Sequence, residues 1–290
     1  MPRYSICMCN YNMADTLETA LGSILSQIDD RFEIILVDDG SSDKSVEVIK
    51  NIQARDSRVR LISLPRDPDR KLGFTRNMSI EKAQGDYVLL HLDCDDITGP
   101  FIQDFVEVFD QIEKARGSDF LLSGNPIQMG RRDYLLQYGP YRNIHRGEDR
   151  DMWSRLAAHN AYLPLHQKSI KTRLPKSFIE RLYRAMYYTY DHLRNDFRSG
   201  LPLKKFLSYE IRYFKRFSPR MMAFRLMISF PAWLSAKLQG PLPHEKTMES
   251  AEDLALYRQR EGGNFAQILA RYKSQPDWSK FSAAARDIFA

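Results

Sequence analysis

Cysteine is scarce in this 290-residue sequence, because only Cys7, Cys9 and Cys94 occur and all three lie in its first third. Their number and spacing predict neither a disulfide framework nor a zinc site. A secretory signal, with a basic segment followed by about 7–15 apolar residues, is also missing at the start of the sequence. We therefore expect a protein of the reducing cytoplasm.

Long apolar runs are rare as well. The most apolar stretch, Met221–Ala236, falls short of the roughly 20 residues that a membrane-spanning helix needs, and Arg225 and Pro231 interrupt it. We predict that this stretch lies on a membrane surface and does not cross the bilayer. Nucleotidyltransferases usually require a Gly-rich phosphate-binding loop near the N-terminus. Residues 5–15 contain no such loop, which disfavours that class of enzyme.

Basic residues are concentrated in one part of the chain. The net charge of the sequence is +6, but the segment from His166 to Arg225 holds fifteen Lys or Arg residues and four acidic residues. This segment carries +11, and the remainder of the chain carries −5. Such a block predicts an anionic partner, either lipid headgroups or nucleic acid. We expect lipid, at the inner face of the cell membrane, and no nucleic acid, because no recognised nucleic-acid-binding motif accompanies the block.

The first 125 residues alternate apolar runs with amphipathic segments, which predicts parallel strands connected by helices. The predicted strands are Tyr4–Cys9, Phe32–Val37, Arg58–Ser63, Tyr87–Leu92 and a short one near Asp119–Ser123. The predicted helices are Thr16–Gln27, Asp43–Ala54, Phe74–Gln84 and Pro100–Ala115. This order favours an α/β fold with a doubly wound, mostly parallel sheet.

In the second half of the chain the alternation stops. Two basic amphipathic helices are predicted, at Lys176–Phe197 and Leu203–Phe217. We therefore divide the chain into a catalytic region, residues 1–165, and a mostly helical region, residues 166–290. The helical region either associates with a membrane surface, packs on the catalytic region or forms a homodimer.

Polar residues follow three of the predicted strands, where doubly wound sheets bind their ligands. The segments are Cys9–Asn12, Asp38–Asp43 and Asp93–Asp96. In the second segment a carboxylate could accept hydrogen bonds from a base or a ribose. A strand end followed by a helix N-cap explains the same residues equally well.

The third segment places Asp93, Asp95 and Asp96 within four residues. Three carboxylates at this spacing repel one another unless protons or a cation neutralise them. Carboxylate oxygens suit a hard cation such as Mg²⁺ or Mn²⁺. The segment therefore predicts a divalent-metal site, and a solvated acidic turn is the alternative.

A further acidic segment begins at Gly147, where Glu148 and Asp149 precede a helical pattern. The helix dipole favours carboxylates at a helix N-terminus. There Asp149 could point into a cleft as a general base. Ordinary N-terminal capping explains this segment about as well.

Taken together and in this order, the motifs closely resemble the family 2 glycosyltransferases with the GT-A fold. The resemblance runs over roughly residues 3–165, and its anchors are Ser5–Asn12, Val37–Asp43, Gly85-Asp86-Tyr87 with Asp93–Asp96, and Gly147–Leu156. It implies a hexosyltransferase that moves a sugar from a UDP- or GDP-sugar to an acceptor, with inversion at the anomeric carbon. The acceptor would be a lipid-linked saccharide or a polyprenyl phosphate near a membrane.

The resemblance also implies roles for individual residues. The nucleotide-sugar would be held by Cys9, Tyr11, Asn12, Asp39, Lys71, Arg76 and Asp93. Of these, Tyr11 and Asp39 would hold the base, and Arg76 would lie near the diphosphate. Asp95 would bind Mn²⁺ or Mg²⁺, and Asp149 would deprotonate the acceptor.

Two positions depart from the family pattern, which usually has a small or hydroxyl residue in place of Cys9 and a glycine in place of Lys71. These departures leave the choice of nucleotide open. His166 is a further candidate for the metal shell, although a lone histidine after Pro164-Leu165 is more often structural.

Overall fold

The computed structural model describes residues 2–117, 119–138, 140–144, 147–174, 178–212, 219–242 and 251–290. The start of the helix predicted from Lys176 and the end of the helix predicted to reach Phe217 lie outside the described residues. Within these ranges the chain forms two β-sheets, and α-helices pack around the larger of them.

In the part of the chain that the structure describes, nine strands make up the two sheets. They are β1 (Tyr4–Asn10), β2 (Phe32–Asp38), β3 (Val59–Ser63), β4 (Tyr87–Leu90), β5 (Asp96–Thr98), β6 (Leu121–Ser123), β7 (Gln128–Arg131), β8 (Tyr162–Pro164) and β9 (Lys171–Arg173). The main sheet has the order β3-β2-β1-β4-β7-β6-β8, while β5 and β9 pair separately. Strands β1 to β4 are parallel, and β7 runs antiparallel to both of its neighbours. The structure confirms the predicted α/β fold with a mostly parallel sheet.

The helices either connect the strands or follow the last strand, β9, along the chain. They are α1 (Ala14–Leu25), α2 (Ser45–Arg55), α3 (Leu72–Lys82), α4 (Ile102–Arg116), α5 (Arg132–Tyr138), α6 (Glu148–Ala158), α7 (Phe178–Arg198), α8 (Leu203–Arg212), α9 (Pro219–Gln239), α10 (Ala251–Glu261), α11 (Phe265–Arg271) and α12 (Ala283–Phe289). Each of the four helices predicted in the first 125 residues is present, with its ends shifted by one or two residues.

Alternate side chains of the strands divide the interior into two layers. Ile6 and Met8 of β1 belong to one apolar cluster, with α1, α2 and α4, whereas Cys7 belongs to the opposite cluster, with α3, α5 and α6. Successive side chains of a strand point to opposite faces, so a strand that is apolar throughout must be covered on both sides. The sheet is therefore the middle of three layers.

The last helices of the chain return to this core. Phe265 of α11 and Phe289 of α12 pack in the same cluster as Phe105 of α4, and all three side chains are fully buried. On the opposite face, Tyr257 of α10 donates a hydrogen bond to the carbonyl of Tyr162 in β8 at 2.9 Å. The region that the sequence assigns to the helical part therefore contributes α10, α11 and α12 to the core of the main sheet.

Helices α7, α8 and α9 form a third apolar cluster of their own, which includes Leu193, Phe206 and Ile228. The opposite face of α9 leaves an apolar stripe exposed, which consists of Met227, Phe230, Leu234 and Leu238. In the described residues, none of the helices is long and apolar enough to cross a bilayer.

Two element boundaries have a local cause. The strand predicted over Tyr87–Leu92 ends at Leu90 because His91 adopts a positive φ of 66°, which a strand does not accommodate. The helix predicted from Asp43 begins at Ser45, since the Asp43 carboxylate accepts a hydrogen bond from the Ser45 amide at 2.9 Å. Asp43 also accepts one from the Ala14 amide at 3.0 Å and so joins the starts of α1 and α2.

Phe289 provides a test of how much the end of the chain stabilises the fold. We expect Phe289→Ala to lower the free energy of unfolding by about 3–5 kcal/mol, because the variant leaves a cavity in the core. Phe230→Ala is the matched control, since this ring is 61% exposed, and it should change stability by less than about 1 kcal/mol. Urea unfolding measures both. Equal effects would contradict the packing described for α12.

Candidate active site

Two loops at the carboxyl ends of β1 and β2 are tied together by polar contacts. The Asn10 side chain donates to Asp38 Oδ1 at 2.7 Å, and the Asp39 amide donates to the Asn10 carbonyl at 2.9 Å. Asn12 accepts from the Ser42 amide at 2.8 Å. Neighbouring parallel strands end at one edge, so these contacts fix the rim of the cleft that lies there.

Asp39 lies in a cavity of about 440 Å³, which Cys9, Tyr11 and Lys71 also line. Its carboxylate pairs with Arg70 at 2.7 Å and with Arg66 at 3.5 Å. The Arg66 guanidinium also lies over the ring of Tyr11, 4.7 Å from its centroid. An aromatic ring, a carboxylate and two guanidinium groups are suited to stacking and hydrogen-bonding a planar base.

The acidic segment after β4 forms a compact cluster, which we call the acidic trio: Asp93, Asp95 and Asp96. Their ligand oxygens all lie within 4.8 Å of one another. Asp95 and Asp96 are buried, and Asp93 is partly exposed. Three hard oxygen donors at this spacing fit a divalent cation of the Mg²⁺ or Mn²⁺ type. The Lys171 ammonium also contacts the trio, 3.4 Å from Asp93 Oδ2 and in an ion pair with Asp96.

Asp149 lies in the first turn of α6 and lines the same cavity as Asp93 and Asp95. Its Oδ1 atom is 3.2 Å from His91 Nε2 and 3.8 Å from Arg76 Nε. Arg76 also pairs with Glu148 at 3.3 Å. Burial alone would raise the pKa of Asp149, but the nearby His91 and Arg76 hold that pKa well below its usual value. The carboxylate is therefore ionised, as a general base must be before it accepts a proton.

A short segment clamped to α3 completes this side of the cleft. The Asn77 side chain of α3 exchanges two hydrogen bonds with the backbone of Tyr141, at 2.6 and 2.8 Å. A Cβ atom on Gly73 would lie 1.8 Å from the Arg142 carbonyl oxygen, so only glycine permits this approach. The clamp places the Tyr141 ring 5.5 Å from the Arg76 guanidinium.

A second cavity, of about 470 Å³, connects these groups. It is lined by Arg76, Asp93, Asp95 and Asp149, and it shares Cys9 with the cavity around Asp39. Burial raises the pKa of the Cys9 thiol to about 12, so this side chain is a neutral lining group. The two cavities form one cleft, in which Asp39 lines one part and Asp93, Asp95 and Asp149 line the other.

The structure brings together most of the residues predicted from the sequence. Cys9, Tyr11, Asp39, Lys71, Arg76, Asp93, Asp95 and Asp149 all line the cleft. Asn12 does not line either cavity and instead orders the loop at Ser42. Among the described residues, His166 lies in a separate cavity with Trp153 and Arg258 and is not part of the acidic trio.

Several cleft residues carry no local signal in the sequence. Tyr188 and His192 of α7 line the same cavity as Asp149. The Nδ1 atom of His192 lies 2.8 Å from the Nη2 atom of Arg150. Lys171 reaches the acidic trio through β9, which pairs with β5. An excess of basic residues in this part of the sequence was the only hint of such contacts.

Comparisons with known proteins agree with this geometry. The family model described as "Glycosyl transferase family 2" matches residues 5–155. An uncharacterized glycosyltransferase of Haemophilus influenzae is 45% identical over 96 residues, which is 33% of this chain and 37% of that protein. An uncharacterized glycosyltransferase of Methanocaldococcus jannaschii is 23% identical over 273 residues, 80% of this chain and 91% of that protein. The chain thus matches little more than a third of the length of the first relative.

Two solved structures share the fold. The mannosyltransferase PcManGT of Pyrobaculum calidifontis, in complex with GDP-Man and Mn²⁺, has a TM-score of 0.56 at 16% identity and covers 94% of this chain and 85% of its own. S. aureus TarS 1–349, in complex with UDP-GlcNAc, has a TM-score of 0.51 at 14% identity. The similarity covers 84% of this chain and 93% of the TarS chain. At these identities the similarity establishes the fold.

The lowered pKa of Asp149 predicts how its contribution to stability depends on pH. The pKa of an aspartate in an unfolded chain is about 3.9, whereas the pKa of Asp149 in the folded protein is lower. Its stabilising contribution is therefore complete above about pH 5 and is lost as the pH falls through the folded pKa. We expect the difference in unfolding free energy between the wild type and Asp149→Asn to shrink from pH 5 to pH 3, as measured by urea titration. A constant difference would contradict the ion pairing.

Proposed function

Because this chain belongs to glycosyl transferase family 2, we propose that it moves a sugar from a UDP- or GDP-sugar to an acceptor, with inversion at the anomeric carbon. The observation that carries the proposal is the cleft itself, in which Asp93 and Asp95 of the acidic trio line one cavity together with Asp149, next to the pocket around Asp39. A donor lying along the cleft would have its base at one end and its sugar between the two acidic groups.

Each part of the cleft has a task in this reaction. Tyr11 and Asp39 would stack on and hydrogen-bond the base, with Arg66 and Arg70 fixing the Asp39 carboxylate. Asp93 would hold the ribose or the sugar. A divalent cation bound by the acidic trio would neutralise the charge that develops on the departing nucleoside diphosphate.

Asp149 is the proposed general base. It would take the proton of the acceptor hydroxyl as that oxygen attacks the anomeric carbon from the side opposite the leaving group. His91 and Arg76 hold the carboxylate ionised and in a fixed position, while Glu148 pairs with Arg76. The family assignment sets aside the nucleotidyltransferase alternative that the sequence left open.

A thermal-shift titration with UDP, GDP, CDP and dTDP, each with and without Mn²⁺, tests the donor site. A ligand at 100-fold its Kd stabilises the folded protein by about 2.7 kcal/mol, which raises the melting temperature by about 5 °C or more. We expect one nucleotide to do this only when Mn²⁺ is present. Asp95→Asn should lose the increase, because it replaces a charged carboxylate of the metal site by a neutral amide.

Two further variants serve as controls for this titration. Asp133→Asn removes an exposed carboxylate and should behave as the wild type does. Asp149→Asn should retain the nucleotide-dependent increase and lose sugar transfer, since the base is not needed for donor binding. If no nucleotide raises the melting temperature under any metal condition, the proposed donor site is wrong.

We also propose that α9 places the enzyme on an anionic membrane, where a lipid-linked saccharide or polyprenyl phosphate would be its acceptor. The exposed stripe of α9 supports this, since its residues recur at three- and four-residue spacing on one helix face. Residues 198–242 contain nine Lys or Arg and a single acidic residue, Glu210. Each basic residue near an anionic surface contributes about 1 kcal/mol to binding.

Co-sedimentation with vesicles tests the membrane proposal. We expect binding to vesicles that contain phosphatidylglycerol, weaker binding at high salt, and little binding to phosphatidylcholine alone. Replacing Met227, Phe230 and Leu238 by Gln should weaken binding at least about tenfold, because each buried apolar side chain contributes about 1.5–3 kcal/mol. Leu256→Gln, an exposed change on α10, is the control. Failure of the wild type to bind anionic vesicles at low salt would contradict the proposal.

A further inference from the structure

Lys171 lies next to the acidic trio. The Lys171 side chain is 18% exposed and makes an ion pair with Asp96, a carboxylate that is only 1% exposed. The same ammonium lies 3.4 Å from Asp93 Oδ2. Lys171 thus contacts the first and the last member of the trio from within the protein.

The backbone holds Lys171 in this place. Strand β9 pairs antiparallel with β5, so that Lys171 is opposite Thr98, two residues beyond Asp96. The amide of Leu174 donates to the carbonyl of Asp95 at 3.2 Å and attaches the end of β9 to the trio. Both contacts fix the strand, whereas the long side chain of a lysine keeps rotatable bonds and can turn away.

An ammonium and a divalent cation compete for the same oxygens. Both need the Asp93 and Asp96 carboxylates, and two positive charges a few ångströms apart repel each other strongly in a partly buried site. A cation that enters the trio therefore has to displace Lys171. A lysine so displaced needs another anion, and the diphosphate of a nucleotide bound to the same cation would supply one.

We propose that Lys171 is an internal counter-ion, which offsets part of the negative charge of the acidic trio when no metal is bound and transfers to the donor diphosphate when a divalent cation binds. The inference rests on the proposed function in one respect, namely that a divalent cation belongs at the trio. It makes the binding of metal and nucleotide mutually dependent. The nucleotide offers Lys171 a new partner and so strengthens metal binding. Because coupling between two ligands is reciprocal, the metal strengthens nucleotide binding by the same factor.

Mn²⁺ titrations followed by electron paramagnetic resonance test this, with and without the nucleoside diphosphate that gives the largest thermal shift. We expect Lys171→Met to bind Mn²⁺ alone about tenfold more tightly than the wild type does, because the competitor is gone. The further gain on adding nucleotide should be smaller in the variant. Lys171→Arg keeps the charge and should bind Mn²⁺ as weakly as the wild type.

Lys168→Met is the matched control, because it removes the same charge three residues away, where Lys168 pairs with Asp287 at 2.6 Å. It should leave the affinity for Mn²⁺ unchanged. If Lys171→Met does not fold, Lys171→Gln keeps most of the side-chain length and tests the same point. Equal affinity in the Met variant and the wild type, or weaker binding in the variant, would overturn the proposal. The titration with Mn²⁺ alone still tests the role of Lys171 if no nucleotide binds and the proposed function is wrong.

Discussion

Repulsion among carboxylates at one edge of the sheet is the constraint on which the site depends. The parallel strands end together, so the acidic residues that follow them share one cleft. Each group is held by its own partner: Asp38 by Asn10 and Ser41, Asp39 by Arg66 and Arg70, Asp93 and Asp96 by Lys171, and Asp149 by His91 and Arg76. The cleft can remain acidic because basic residues from several distant elements converge on it.

The elements that carry the cleft could be predicted from the sequence, because their signals are local. Continuous apolar runs define β1, β2 and β4, and polar segments, two of them acidic, lie at their carboxyl ends. Strands β5 and β9 have three residues each, too few for a recognisable period, and so Lys171 could not be placed against Asp96. His91 and the α7 residues contact the cleft only through tertiary packing, which spacing along the chain does not encode.

The basic block of the sequence turns out to serve two purposes. Part of it is used internally: Arg225 pairs with the buried Glu210, Lys205 pairs with Asp253, and Lys171 pairs with the acidic trio. The net charge of the block therefore overstates the charge presented outward, since Asp253 and the acidic trio lie outside the block in sequence. Helices α7 and α9 also pack against each other around Leu193 and Ile228, and α7 supplies a wall of the cleft. The cluster of α7, α8 and α9 therefore contributes both a wall of the cleft and the exposed stripe of α9.

Gly73 has a consequence for how this sequence can diverge. A methyl group there would overlap the Arg142 carbonyl, and the loop that carries Arg142 also supports Tyr141 beneath Arg76. A relative that acquired any side chain at this position would have to shift residues 140–144, and with them the groups that orient Asp149. Two segments nearly seventy residues apart are thus bound to change together. A homologue that differs in one of them and retains the other would be expected to have a remodelled cleft around Asp149.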